Sequence, residues 1–228
     1  MRCNPTPGPG ALVPSPGRSS GIVLLDKPEG LSSNAALQRV KRAYGVAKAG
    51  HAGTLDPLAT GMLPILLGEA TKLAGHLLHK DKAYRVVGRL GKSTTTYDSE
   101  GEITQVRMVP PLDHDTLSSV VVGFTGRIRQ QAPIYSAIKQ AGRPLYDRAR
   151  RGEAVTAPVR EVKIRRIEIE RIDAAEIVLR VECGTGTYIR SLIHDLGEQL
   201  GCGAHVTALR RLWVSPFEGQ PMHSLDDI

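Results

Sequence analysis

An α+β fold is predicted for this 228-residue chain. Two observations carry the prediction. Segments rich in branched residues that alternate in period two, as half-buried strands do, are interspersed with segments of helical spacing. The two kinds do not follow one another regularly, as the βαβ units of a doubly wound sheet would.

The elements follow in chain order. Residues 1–20 (MRCNPTPGPGALVPSPGRSS) are rich in Pro and Gly and have almost nothing to bury, so they are expected to form a disordered leader. The ordered chain is expected to begin at Gly21. GIVLLDKPEG is a short apolar run stopped by Lys-Pro and Gly, which predicts a strand ending in a turn. Ser32 or Ser33 then caps a helix whose apolar positions are Ala36, Leu37, Val40, Ala43 and Tyr44. GHAGTLDPLATGMLPILLGEAT, from Gly50 to Thr71, reads as a small-residue loop, followed by a second helix from about Glu69 to Leu78. YRVVGRLG, VKIRRIEIERI and EIVLRVEC read as strands, and a short helical pattern lies between Leu117 and Phe124. Residues 125–159 are irregular and basic, carrying Lys139, Arg143, Arg148, Arg150 and Arg151 with Tyr135 and Tyr146 between them. Ile189, Leu192, Ile193, Leu196 and Leu200 make Tyr188–Leu200 an amphipathic helix stopped by Gly201, and HVTALRRLWV is the last strand.

Lys and Arg outnumber Asp and Glu by 30 to 23, for a net charge of +7. That excess favours a polyanionic partner such as nucleic acid, although a merely basic soluble enzyme has the same balance. The three cysteines (Cys3, Cys183 and Cys202) match no zinc or redox spacing, and ordinary thiols in a reducing, cytoplasmic compartment fit them. No apolar run approaches the ~18 residues that span a membrane. The seven histidines lack ligand spacing, and neither GxGxxG after a strand nor GxxxxGK[ST] is present, so no metal and no cofactor are expected.

Asp56 is the feature that asks for an explanation. It is locked against Pro57 among Gly53, Gly61, Thr54 and Thr60, with His51 five residues before it and no other acid until Glu69. An Asp-Pro pair commonly makes a turn or a helix cap. The glycines instead suit a backbone that a substrate approaches closely. Tyr84 opens a strand, a place more often taken by packing. In GTGTYIRSLIHDLG a tight turn feeds a helix and presents Tyr188 and Arg190, where Arg190 can pair with a carboxylate, hold phosphate or face solvent.

Together, GHAGTLDPLATGMLPILLGEATK, GIVLLDKPEGLSSN, KAYRVVGRLGKSTTTYDSEG and GTGTYIRSLIHDLGEQLGCGAHVTALRRL resemble the motifs of the bacterial tRNA pseudouridine-55 synthases, the TruB family. The likeness runs from Gly21 to the end in the same order. It implies a pseudouridine-synthase fold, a mixed and mainly antiparallel sheet flanked by helices with a catalytic cleft. It implies conversion of uridine 55 in the tRNA T-loop to pseudouridine. By the same resemblance Asp56 is the catalytic nucleophile. Tyr84 stacks on the target base and takes part in proton removal from C5, and Arg190 pairs with Asp56. Tyr188 and Leu209 line the base pocket, and His51 helps displace the flipped uridine. Residues 21–228 are then a catalytic domain with a basic, RNA-contacting insertion near 125–159, and the PUA-type C-terminal domain common in the family is absent. The partner is tRNA, with no membrane, and a monomer is the family expectation. A tRNA-binding chaperone of the same fold with dispensable catalysis is the alternative. The scarcity of acids around Asp56 further suggests a site kept free of other negative charge.

Overall fold

The computed structural model describes residues 20–228 apart from Ala137 and Ala141. The expected leader lies outside the described residues except for Ser20, whose hydroxyl accepts a hydrogen bond from the Glu69 N–H.

The chain begins with β1 (Gly21–Lys27), α1 (Ser33–Ala43), β2 (Ala49–His51) and β3 (Ala59–Leu67). A 3-10 turn (Gly68–Leu73) then runs into α2 (Ala74–Leu78). After β4 (Lys82–Leu90) come a hairpin of β5 (Lys92–Thr94) and β6 (Ile103–Val106), then α3 (His114–Val122) and β7 (Gly126–Gln131). A basic arm holds β8 (Lys139–Gln140), β9 (Arg143–Pro144) and α4 (Leu145–Arg150). The long hairpin of β10 (Val159–Asp173) and β11 (Glu176–Cys183) leads to α5 (Ile189–Gln199), β12 (Ala204–Val214) and a final 3-10 turn, Leu225–Asp227.

The main sheet has the order β1-β3-β12-β4-β11-β10-β7, with β2 added on β3. Every pairing is antiparallel except β12 on β3. One face is covered by helices. Leu37 and Val40 of α1, Leu117 and Val121 of α3, and Ile189, Leu192, Ile193 and Leu196 of α5 bury against Leu25, Leu63, Val86, Leu179 and Val206 of the strands. On β4, Arg85 and Arg89 turn outward and pair with Glu170 and Glu176 across the sheet. The helices thus cover one face along the sheet, while the other carries exposed ion pairs around β4, β10 and β11 and is covered at the β1–β3 end, where Leu66 packs with Leu77 of α2.

β3 corrects the reading of Gly50–Thr71 as a loop. Gly61 and Pro64 hide the strand, and both have a place in it. Gly61 has φ +96°, and a Cβ there would stand 2.1 Å from the Arg211 carbonyl oxygen, so only glycine lets β12 dock. The Pro64 carbonyl accepts from the Ala52 N–H, so its nitrogen faces the side shared by β2 and β12. The β2 pairing stops at Ile65, where Pro64 cannot return a bond to Ala52, and the β12 pairing lies further back along the strand, over Ala59–Gly61. The second helix expected over Glu69–Leu78 is a 3-10 turn continued by a single α-helical turn. Of the two candidate caps, Ser32 is the one that accepts from the Ala35 N–H.

Candidate active site

Asp56 sits in the connection between β2 and β3, and three buried side chains hold that connection in place. Ser33 Oγ donates to the Leu55 carbonyl at 2.9 Å and accepts from the Leu55 N–H at 2.7 Å. Lys27, which is fully buried, donates from Nζ to Pro28 O, Leu31 O and, at 3.3 Å, Pro57 O. Arg211, also buried, donates from Nη2 to Gly53 O and from Nε to Met62 O. Asp56 itself closes a turn in which the Ala59 N–H donates to its carbonyl, with Pro57 in the second position that its fixed φ suits. Residues on both sides of the acid are therefore anchored, and its carboxylate has a fixed direction.

Arg190, in the first turn of α5, lies against that carboxylate, with Nε 2.9 Å from Asp56 Oδ2. The N–H of Nε does not aim at the oxygen, so the contact is an ion pair rather than a directed fork. The other two nitrogens of the guanidinium are committed elsewhere. Nη1 donates to Thr96 O at 2.9 Å and stands 3.4 Å from Asp98 Oδ2, while Nη2 donates to Tyr135 O at 2.8 Å.

Two cavities meet at this pair. The first, about 390 Å³, is lined by Asp56, Tyr84, Tyr188, Arg190, Leu209 and Arg211 among others. The second, about 890 Å³, is lined by His51, Asp56, Asp98, Glu100, Tyr135 and Arg190 among others. Asp56 and Arg190 form part of the partition between them. Five of the residues singled out from sequence (Asp56, Tyr84, Tyr188, Arg190 and Leu209) thus share one cleft. His51 faces the other side of the same carboxylate.

Burial pushes the Asp56 carboxyl above the ordinary carboxylate range, while Arg190 and Lys27 pull it down and Asp98 adds to the rise. Its side chain is still 38% exposed at the junction of the cavities, so water offsets part of the desolvation. Burial raises the Tyr84 phenol, against the positive charge of Arg211. Burial likewise lowers Lys27 to about 8, against the attraction of Asp56, and holds His51 neutral, helped by Arg211.

The lone acid of the sequence is not alone in space. Asp98, only 2% exposed, and Glu100 line the second cavity beside Asp56, which corrects the expectation of a site free of other negative charge. Arg190 and Lys27 balance this cluster. Lys27, Asp98, Glu100 and Arg211 were not assigned roles from sequence, and Ser33 was read only as a candidate helix cap. A usable signal existed for two of them. Lys27 continues the buried alternation Val23, Leu25, Lys27, and Arg211 follows Leu209 by two, so each is a cation at an inward strand position. Among the described residues no group of three or more His, Cys, Asp or Glu is placed to hold a metal ion.

The fold is shared with proteins of solved structure. The structure described as a Cbf5-Nop10-Gar1 complex superposes with a TM-score of 0.72 at 32% identity, over 91% of this chain and 53% of that one. An H/ACA RNP bound to a substrate RNA containing 2'-deoxyuridine gives 0.68 at 30% identity, over 91% and 51%. The fold is that of the pseudouridine synthases. In sequence, residues 41–189 match the TruB family pseudouridylate synthase N-terminal domain and residues 190–228 the tRNA pseudouridylate synthase B C-terminal domain. The tRNA pseudouridine synthase B of Xylella fastidiosa is 56% identical over 209 residues, 92% of this chain and 69% of that protein. That of Vibrio cholerae is 51% identical over 208 residues, 91% of this chain and 66% of that protein. The chain belongs to the TruB family, and it spans about two thirds of the length of these relatives and about half that of the solved structures.

Proposed function

We propose that this chain isomerises uridine 55 of the tRNA T-loop to pseudouridine, with Asp56 as the nucleophile. One observation carries the reading: a carboxylate anchored on both sides, charge-paired at 2.9 Å with a buried arginine, opens into a cleft with Tyr84 and Tyr188 in its wall. The reaction breaks the C1'–N1 bond, turns the freed uracil and joins C1' to C5, so no atom or electron is gained or lost. A carboxylate held here serves attack at C1', attack at C6 or proton removal at C2'.

Arg190 keeps Asp56 ionised against the desolvation that a bound base adds. Tyr84 offers its ring as a stacking surface. Its phenol is protonated at neutral pH, so it takes the C5 proton only as it passes its own to water, N1 of the turned uracil gaining a proton from water in turn, and Arg211 stabilises the negative charge that develops on the oxygen if release runs ahead of uptake. The uridine must leave its stack to reach this acid, at a cost of a few kcal/mol that stacking on Tyr84 offsets. His51, neutral and on the far side of Asp56, is positioned to meet the place the uridine leaves. The arm over 125–159 carries Arg143, Arg150 and Arg151 on its surface, and they supply phosphate contacts. The working unit proposed is a monomer, as the family resemblance implies, acting in the cytoplasm where tRNA is found.

The test is tritium release from tRNA carrying 5-tritiated uridine. The wild-type chain releases tritium and Asp56→Ala does not, while both bind tRNA alike. Equal release from the two would end the assignment.

A further inference from the structure

Arg190 points its Nη1 at two acceptors, Thr96 O and Asp98 Oδ2, that flank a single residue, Tyr97. Tyr97 has φ +64°, in the left-handed region that a residue with a Cβ adopts only when its surroundings hold it there. Through that kink the loop offers the Thr96 carbonyl and the Asp98 carboxylate to the same guanidinium nitrogen. The backbone is docked on β12, where the Val206 N–H donates to Tyr97 O and the Ser99 N–H to Val206 O. The Tyr97 side chain points the other way, onto α5. Its ring stacks on His194 with centroids 3.9 Å apart and planes within 10°.

His194 stands four residues after Arg190 on α5, so the two project from the same face of one helix, a turn apart. The stack therefore ties the acceptor loop to the helix that carries the guanidinium. The imidazole is kept neutral mainly by burial, with Glu198 and Arg107 acting on it in opposite directions, and its buried Nδ1 has no hydrogen-bond partner, so no hydrogen bond from that nitrogen sets the ring's orientation. A buried ring nitrogen left unpaired, beside a tyrosine in a costly backbone conformation, is an arrangement that packing alone does not require.

We propose that Tyr97 and His194 are a positioning couple for the reaction, their stack setting the distance between the Thr96–Asp98 acceptors and Arg190 and so the aim of Arg190 at Asp56. Neither ring reaches the cleft; both act through Arg190. The inference rests on the isomerase reading above. The couple should thus affect the chemical step and leave tRNA binding alone.

The experiment measures the single-turnover rate of tritium release, tRNA Kd and Tm for the full chain, His194→Ala, Tyr97→Ala, the double variant and His194→Phe. Loss of one aromatic pair corresponds to a fall of roughly three- to tenfold in rate. His194→Ala and Tyr97→Ala should each show it with Kd unchanged. The double variant should be no more than about twofold slower than the slower single, because both changes remove the same contact. His194→Phe, which keeps a ring to stack on, should return to within about twofold of wild type. The proposal is overturned if His194→Ala keeps the wild-type rate, if its loss appears equally in Kd, or if His194→Phe is as slow as His194→Ala while folded. Should Tyr97→Ala fail to fold, the two His194 variants decide the matter. A wild-type chain that releases no tritium would instead refute the isomerase reading, a result distinct from all of these.

Discussion

Arg190→Met removes the guanidinium but leaves an unbranched apolar stem in the cleft wall, and its effects divide into two parts. The first concerns Asp56. Unit charges at 2.9 Å attract by about 6 kcal/mol at an effective dielectric of about 20. The Asp56 side chain is 38% exposed, so screening leaves a share of about 1–2 kcal/mol, or about one pKa unit. Arg190 lowers the Asp56 pKa and burial raises it. Losing Arg190 therefore moves Asp56 upward, and the acid limb of the rate–pH profile should shift to higher pH by about one unit. The second part concerns Asp98, which is 2% exposed and would be left buried without its cation, a loss of about 3–5 kcal/mol in stability. Adding Asp98→Asn removes that orphaned charge while its Oδ1 still accepts from Thr96 and Glu100. The double variant should recover Tm but not rate. The assay is single-turnover tritium release from about pH 5 to about pH 9, alongside thermal unfolding. An unmoved acid limb with a rate within about threefold of wild type, or a double variant whose rate recovers with its Tm, would refute the argument.

Three further outcomes are expected. Gly61→Ala should cost at least about 3 kcal/mol, because its Cβ would meet the Arg211 carbonyl at 2.1 Å; Gly30→Ala, at φ +81° in open space, should cost about 1–2 kcal/mol, and denaturant melts giving equal losses would contradict this. Asp195 is raised to about 6 by burial and by Glu198, so the folded state holds a proton that the unfolded state releases, and stability falls as pH rises from about 4 to about 6. Asp195→Asn should therefore raise stability at pH 7.5 by about 1–2 kcal/mol after screening, and change nothing near pH 3.5; a gain of the same size at both pH values would count against it. Affinity for tRNA should fall as salt rises, with a log–log slope steeper than about −3, and a flat dependence by filter binding would remove the phosphate contacts from the account.

Legibility in the sequence followed periodicity. β4 and β11 alternate, and α1 and α5 keep helical spacing, because each has one face on the core and one in water; such segments declare themselves. β3 does not. It is buried along almost its whole length, so it shows no alternation, and its Gly and Pro carry the ordinary signs of a turn. The nucleophile candidate was visible through motif resemblance, but its setting was not. Asp98 and Glu100 belong to STTTYDSEG, a polar stretch with no period, and only the docking of Asp98 beside Val206 brings them to Asp56. Arg148, named with the basic residues of 125–159, has partners that sequence does not show: its Nε pairs with Glu153 at 2.7 Å and its Nη1 with Gln140.

β12 lies between β3 and β4 in the sheet, and this has a consequence for synthesis. A nascent chain that has not yet reached Ala204 holds two half-sheets. Asp56 belongs to the one built on β1 and β3, and Tyr84 and Arg190 to the one built on β4 and β11. No cleft exists at that stage, however well each half is formed. β12 is the seam that joins them, so the acid meets its arginine only once synthesis has passed Val214.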